Sequence, residues 1–237
     1  MSADDAAPVC AVVGAGPGNG RAIATRFADG GYRVALLARD TTRLDGLAAD
    51  IENAVAIGCD VTSADSIAAA HRHLRSDPGD PEVLVYNAGS GLFGSVDEVQ
   101  PEAFEQAWRT NAAGLLAWTQ AVLPAMRARG SGRIVIMGAT AARRGGAAFT
   151  AFASAKHAQY GLAQSLARKL GPENIHVSYI VIDGVIDLER TRRMLPDKPD
   201  DFFLSADDIA EAVYHVAHQP RSARSFEIDL RPFGERW

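Results

Sequence analysis

The sequence predicts a doubly wound α/β fold, in which helices cover both faces of a parallel sheet. Three observations predict it. Seven short apolar runs recur along the 237 residues, helical stretches separate them, and the runs are continuously apolar rather than alternating. A strand buried on both faces has no polar side to present, so continuous runs point to a parallel sheet between helical layers. Regular strand–helix alternation then points to double winding, with seven strands expected in the order 3-2-1-4-5-6-7. No internal repeat, low-complexity tract or dividing linker interrupts the pattern, and residues 1–237 read as one domain.

The strands are expected at VCAVVG (9–14), YRVALL (32–37), AVAIGC (54–59), EVLVYN (82–87), RIVIMG (133–138), HVSYIV (176–181) and SFEIDL (225–230). Helices are expected near 18–29, 41–51, 63–75, 101–128, 150–171 and 205–218. In the fourth of these, Phe104, Trp108, Leu115, Trp118 and Val122 repeat at intervals of 4, 7, 3 and 4. That spacing predicts one stripe facing the core. Asn111 falls on the same stripe, so its amide is expected to be buried and to need partners. Helix 150–171 carries Ala151, Ala153, Ala155, Ala158, Gly161, Ala163 and Ala167, small residues that permit close helix approach. Residues 188–204, with Pro196, Pro199 and mixed charge, form an excursion before the last helix. A lid and a solvated loop are both open readings of it.

Charge narrows the function classes. Lys and Arg number 24 against 29 Asp and Glu, a net charge of −5, and only Lys156, Lys169 and Lys198 are lysines. A mildly acidic chain without a basic block is a poor nucleic-acid binder, because phosphate contact needs clustered positive charge. No apolar run reaches the roughly 18 residues that a membrane span requires. The opening MSADDAAP is acidic and polar, unlike a secretory signal. Two cysteines suit a reducing compartment better than a disulfide scaffold, so a cytoplasmic location is expected. Cys10 and Cys59 fall on strands two spacings apart, about 9.5 Å. That exceeds the roughly 7 Å reach of a disulfide, so buried free thiols are expected. His71, His73, His215 and His218 lack matching carboxylates, and no metal site is expected.

The first strand leads into Gly14-Ala-Gly-Pro-Gly18-Asn-Gly20 and then the helical RAIATRF. Glycines there allow a tight turn and close backbone approach to a pyrophosphate. The helix N-terminus adds free N–H groups and partial positive charge. In this strand–turn–helix context Gly14, Gly16, Gly18, Asn19 and Gly20 are candidate cofactor contacts. An acid at the end of the second strand would hold the ribose 2′-hydroxyl of NAD; Ala38 occupies that place and Arg39 comes directly after it. A guanidinium suits the 2′-phosphate of NADP(H) through bidentate hydrogen bonding. NADP(H) is therefore preferred, with NAD(H) as the alternative. Asp40 reads as the N-cap of helix 41–51.

VGAGPGNG (13–20), Asp60 in CDVT, YNAG (86–89), Asn111 in RTNAAG and Lys156 in FASAK (152–156) succeed one another at spacings that resemble the short-chain dehydrogenase/reductase family. The resemblance covers essentially the whole chain. It implies a Rossmann-like sheet, a nicotinamide cofactor and oxidoreductase chemistry. It implies that Asp60 contacts adenine and that Val61, Asn87, Ala88, Gly89, Lys156, Gly184 and Ile186 also line the cofactor. Asn111 and Lys156 match the family's catalytic asparagine and lysine. Val13 stands where the family turn has threonine, and Tyr86 where it has the first asparagine of Asn-Asn-Ala-Gly.

Two departures touch the chemistry. The family tyrosine, proton donor or acceptor, falls on Phe152, and the family serine, which orients the carbonyl, falls on Ala139. Neither side chain can hydrogen-bond or titrate. The Pro-Gly after the sixth strand is Asp183-Gly184, and Asp187 stands near the threonine that often touches the nicotinamide. Asp183 and Asp187 come after a strand's C-terminal end, where ligands bind in such sheets. With Thr140 they are the candidate replacement groups, although a neighbour of Ala139 in an extended segment points the other way. Tyr160 lies one turn beyond Lys156, about 5.4 Å along the axis, and is expected in the core or a subunit contact. His157 is expected at the surface. Arg143, Arg144, Arg190, Arg192 and Arg193 are either solvated or placed at the pocket mouth to attract an anion.

The expected function is an atypical NADP(H)-dependent oxidoreductase. Its substrate needs no tyrosine proton, as an imine, iminium or activated alkene does not, or is a carbonyl served by another acid. The alternative is a catalytically degenerate NADP(H)-binding protein, a sensor or assembly partner. The resemblance further implies a homodimer or homotetramer through helices 101–128 and 150–171.

Overall fold

The structure, a computed structural model, describes residues 7–235; Met1–Ala6, most of the acidic N-terminal stretch, and the last two residues lie outside it. The first half comprises β1 (Val9–Val13), α1 (Asn19–Asp29), β2 (Arg33–Ala38), α2 (Thr41–Ala49), β3 (Ala54–Gly58), α3 (Ala64–Ser76) and β4 (Val83–Tyr86). The second comprises α4 (Pro101–Trp108), α5 (Gly114–Arg129), β5 (Gly132–Met137), α6 (Thr150–Leu170), β6 (Ile175–Ile182), β7 (Val185–Ile186), α7 (Glu189–Met194), β8 (Phe203–Leu204), α8 (Ala206–Ala217) and β9 (Glu227–Leu230). Seven strands form one sheet in the order β3-β2-β1-β4-β5-β6-β9, and every neighbouring pair is parallel. This is the expected order. Its seventh member is the ninth strand of the chain because β7 and β8 pair only with each other.

Burial explains the apolar runs. Every residue of β1, β4 and β6 is buried, as two covered faces require. Alternate residues serve opposite layers. Ala11 and Val13 pack in one core with Leu74, Trp118, Val122 and Ala163, from α3, α5 and α6. Cys10 and Val12 pack in the other with Ile23, Phe27, Leu44 and Val213, from α1, α2 and α8. Asp40 caps α2 as expected, its carboxylate accepting from the Arg43 N–H at 3.1 Å. Cys10 and Cys59 are buried free thiols. Tyr160 packs edge-on against Tyr179, with centroids 5.0 Å apart.

One expectation needs correction. Helix 101–128 is not one continuous α-helix. Arg109–Ala113 form a π-helical turn between α4 and α5. Such a turn inserts an extra residue into the repeat and rotates the N-terminal part of the helix relative to the C-terminal part. Ala107 therefore takes the fully buried place in phase with Asn111 and Leu115, while Phe104 and Trp108 are 38% and 45% exposed. The single stripe through 104 and 108 does not exist. In the excursion, whose two readings the sequence left open, α7 and β8 supply regular structure, and Leu188, Arg190, Thr191, Met194 and Leu195 line a cleft at the C-terminal edge of the sheet.

Candidate functional site

The C-terminal ends of β1, β2, β4, β5 and β6 open on one edge of the sheet, and two adjoining cavities lie there. The smaller, about 210 Å³, is bounded by Gly14, Ala38, Arg39, Asp60, Val61, Asn87, Ala88 and Gly89 among others. Gly14 has φ +89°, and a Cβ there would overlap the Ala88 backbone, so this turn requires glycine. Its carbonyl accepts from Asn87 Nδ2 at 2.7 Å, which ties the turn to the end of β4. Gly16 faces open space, and a Cβ at Gly18 would meet Leu188 from the excursion. No side chain caps the N-terminus of α1. Asp60 accepts from the Thr62 N–H at 2.9 Å and its hydroxyl at 2.8 Å. The backbone bond above all holds this carboxyl below the usual range. Arg39 is exposed at the rim, with no hydrogen bond or ion pair among the described residues.

Lys156 lies at the floor of the larger cavity, about 520 Å³. Its ammonium donates to Met137 O at 2.8 Å and to Gln159 Oε1 at 2.9 Å. Gln159 in turn donates to Asn111 O at 3.1 Å, and Tyr179 donates to Gln159 Oε1 at 3.3 Å. Among the described residues no carboxylate joins this network. Burial with neutral partners alone pulls Lys156 down to about 7. The π-turn delivers Asn111 to the same place, where Nδ2 donates to Ala107 O at 2.9 Å. Asn111 Oδ1 is buried without a hydrogen-bond partner among the described residues, as is Asn19 Oδ1. Gln159 carries no motif that singles it out in the sequence. Its one signal is a polar residue three positions after Lys156 on a helix face otherwise made of small residues.

Above Lys156 the wall is aromatic. Phe152 lies 5.5 Å from Phe93 and 6.1 Å from Phe149 between centroids, both close to edge-on. Ala139, Gly184, Val185, Ile186, Leu188, Met194 and Leu195 complete much of the lining. Three hydroxyls also reach it, and two are already used. Thr140 donates to Asp183 Oδ1 at 2.5 Å, and Thr191 donates to Ile186 O at 2.6 Å. Ser90, next to Gly89, has no hydrogen bond among the described residues and escapes sequence reading because it matches no motif.

The candidate replacement acids are tied down. Asp183 is buried and ion-paired with Arg231 at 2.6 Å; Asp187 is exposed and paired with Arg192 at 2.7 Å. Neither lines the larger cavity. Hydrogen bonding from Arg192 holds Asp187 below the usual carboxylate range, away from a proton donor at neutral pH. Thr140, expected to point away, does line the cavity, because a short 3₁₀ turn at 140–142 interrupts the extended segment.

Residues 8–197 match the family model of the short chain dehydrogenases. An uncharacterized short-chain type dehydrogenase/reductase of Sinorhizobium fredii is 33% identical over 181 residues, 73% of this chain and 71% of the relative. A short-chain dehydrogenase from Rhodopseudomonas palustris, solved by crystallography, is 32% identical, with TM-score 0.82, 95% of this chain and 99% of that one covered. A metagenomic short-chain oxidoreductase in complex with NADP is 28% identical, with TM-score 0.83 and coverage of 97% and 99%. Family model, relative and solved folds agree with the five sequence landmarks, and the chain belongs to the short-chain dehydrogenase family.

Proposed function

We propose that this protein is an atypical NADP(H)-dependent oxidoreductase whose substrate requires no proton from a tyrosine. The observation that carries the reading is the floor of the larger cavity. Lys156 lies there, joined through Gln159 to the backbone of the buried Asn111 behind it, while Phe152 and Ala139, which line the same cavity, leave no hydroxyl at either position. The cleft residues fit a dinucleotide. The glycine turn leaves open space at Gly16, α1 starts uncapped, and Asn19 Oδ1 and Asn111 Oδ1 are buried acceptors awaiting donors. Bound NADP(H) would supply or accept the hydride.

The chain's own residues would do the rest. Gly14 to Gly20 would hold the pyrophosphate, Asp60 and Val61 the adenine, and Arg39 the 2′-phosphate. Asn87, Ala88, Gly89, Gly184 and Ile186 would shape the nicotinamide end, with Lys156 on the ribose. Ala38 leaves no carboxylate to repel a 2′-phosphate, which supports NADP(H) over NAD(H), and a relative complexed with NADP agrees. An imine, iminium or activated alkene meets the requirement, because none depends on a strong acid beside a carbonyl oxygen. A catalytically degenerate cofactor-binding protein is the second reading, favoured by the loss of both hydroxyls.

Homodimers or homotetramers built on α4–α5 and α6 are part of the proposal. Phe104, Trp108 and Leu116, exposed on α4 and α5, support it. No helix among the described residues is long and apolar enough to cross a membrane; a cytoplasmic location is supported by the two free thiols. Titration with NADPH and NADH tests the cofactor assignment. NADPH is expected to bind about 10- to 150-fold more tightly, the range of a charge-assisted bidentate contact, and Arg39→Ala to remove most of that preference. Equal affinities in the unmodified protein would overturn it.

A further inference from the structure

The arginines around the larger cavity sort by partner. Arg192 is held by Asp187 and Asp200, Arg193 by Glu189, and Arg143 by Glu227 and Asp229. Arg190, on the same short α7, lines the cavity with no ion pair or hydrogen bond among the described residues. No described Asp or Glu lines this cavity, and its two charged lining residues are Lys156 and Arg190. Asp183 and Asp187, the acids after β6, are ion-paired with Arg231 and Arg192. Phe93, Phe149 and Phe152, packed on one another with two of their three contacts edge-on, line the same cavity. A site whose one unpaired full charge is the Arg190 guanidinium, with no carboxylate in its lining and aromatic surface beside it, favours flat molecules bearing negative charge.

We propose that the cavity takes a planar, conjugated carboxylate, its apolar body against Phe93, Phe149 and Phe152 and its carboxylate met by Arg190. This assignment rests on the oxidoreductase reading and narrows its substrates. It favours an unsaturated acid over a cationic iminium, for which the cavity offers no counter-charge.

Three probes with one cinnamyl skeleton isolate the head group: cinnamate, cinnamyl alcohol and cinnamylamine. Calorimetric titration of the 237-residue chain saturated with NADP⁺ reads their affinities at low ionic strength. Cinnamate is expected to bind about 5-fold more tightly than the alcohol, the upper range for a rim charge pair, and cinnamylamine most weakly. Arg190→Gln should bring acid and alcohol within about 2-fold of each other. Arg193→Gln removes a paired charge from the same helix and should leave the order intact. Phe149→Ala should weaken all three probes alike. Cinnamylamine binding as well as cinnamate, or an acid preference that survives Arg190→Gln, would overturn the assignment. The oxidoreductase reading fails separately: it falls if the acid preference holds but no activated alkene, imine or ketone consumes NADPH.

Discussion

The two ends of the cleft have diverged in different ways. At the end proposed to hold adenosine, Gly14, Asp60 and Asn87 have the polar and conformational features that a dinucleotide needs, held in place through backbone bonds. At the end proposed to react, Lys156 lines the cavity with the buried Asn111 behind it, but the family's two hydroxyl positions carry phenyl and methyl groups at Phe152 and Ala139. Binding requires many weak contacts distributed along the chain, so it survives the loss of a few. General acid catalysis depends on one group at one place. On the proposed reading, keeping the first and replacing the second preserves cofactor binding while changing which substrates can be served.

The largest effect should come from making the reacting end resemble the family pattern again. Phe152→Tyr combined with Ala139→Ser restores a phenol four residues from Lys156 and a hydroxyl opposite it. A positioned acid contributes about 10²–10⁴ in rate, roughly 2.7–5.4 kcal/mol of barrier. Ketone reduction by the double variant should rise toward that range, measured as NADPH consumption with a ketone small enough for the cavity. No gain, with NADPH affinity unchanged, would mean that the missing hydroxyls are not what limits carbonyl chemistry.

A smaller effect isolates Lys156. Its folded value of about 7 lies below the 10.5 of the free side chain because burial disfavours the ammonium. Between pH 7 and pH 10 the unfolded chain holds a proton that the folded chain has released. Stability from this group therefore rises with pH across that window, by up to ~1.4 kcal/mol per unit, and the full cost of burying the charge is felt below it. Urea unfolding of the unmodified protein and Lys156→Met at several pH values should show the stability gap shifting in the lysine's favour as pH rises. Parallel profiles would show that Lys156 keeps its water in the folded chain.

The fold was legible because buried parallel strands leave an unambiguous trace, continuous apolar runs such as VCAVV and HVSYIV, separated at regular spacing. The division of helix 101–128 was not legible. A π-turn depends on where one extra residue is accommodated, and Ala107 and Trp108 are equally acceptable as the buried position until the place of Asn111 is known. Within the site, residues on shared motifs were legible, whereas Gln159 and Ser90 were not. Their placement comes from a helix face and a loop brought to Lys156 by tertiary packing, and neither leaves a local pattern. The acids mislead for a related reason. Asp183 and Asp187 sit at the expected strand end, but Arg231, nearly fifty residues later, and Arg192, on the folded excursion, neutralise them.

Whether the reacting end serves substrates without a tyrosine proton is read most directly from initial rates of NADPH consumption by the unmodified protein. Simple ketones, cyclic imines and activated alkenes would be compared at one pH near neutrality. Turnover of an imine or an activated alkene is expected to be at least about 10²-fold faster than that of any simple ketone, the lower bound for a missing general acid. Ketone reduction as fast as the best of the other substrates would contradict it, and would require another group, with Ser90 and Thr140 the first to replace, to supply the proton.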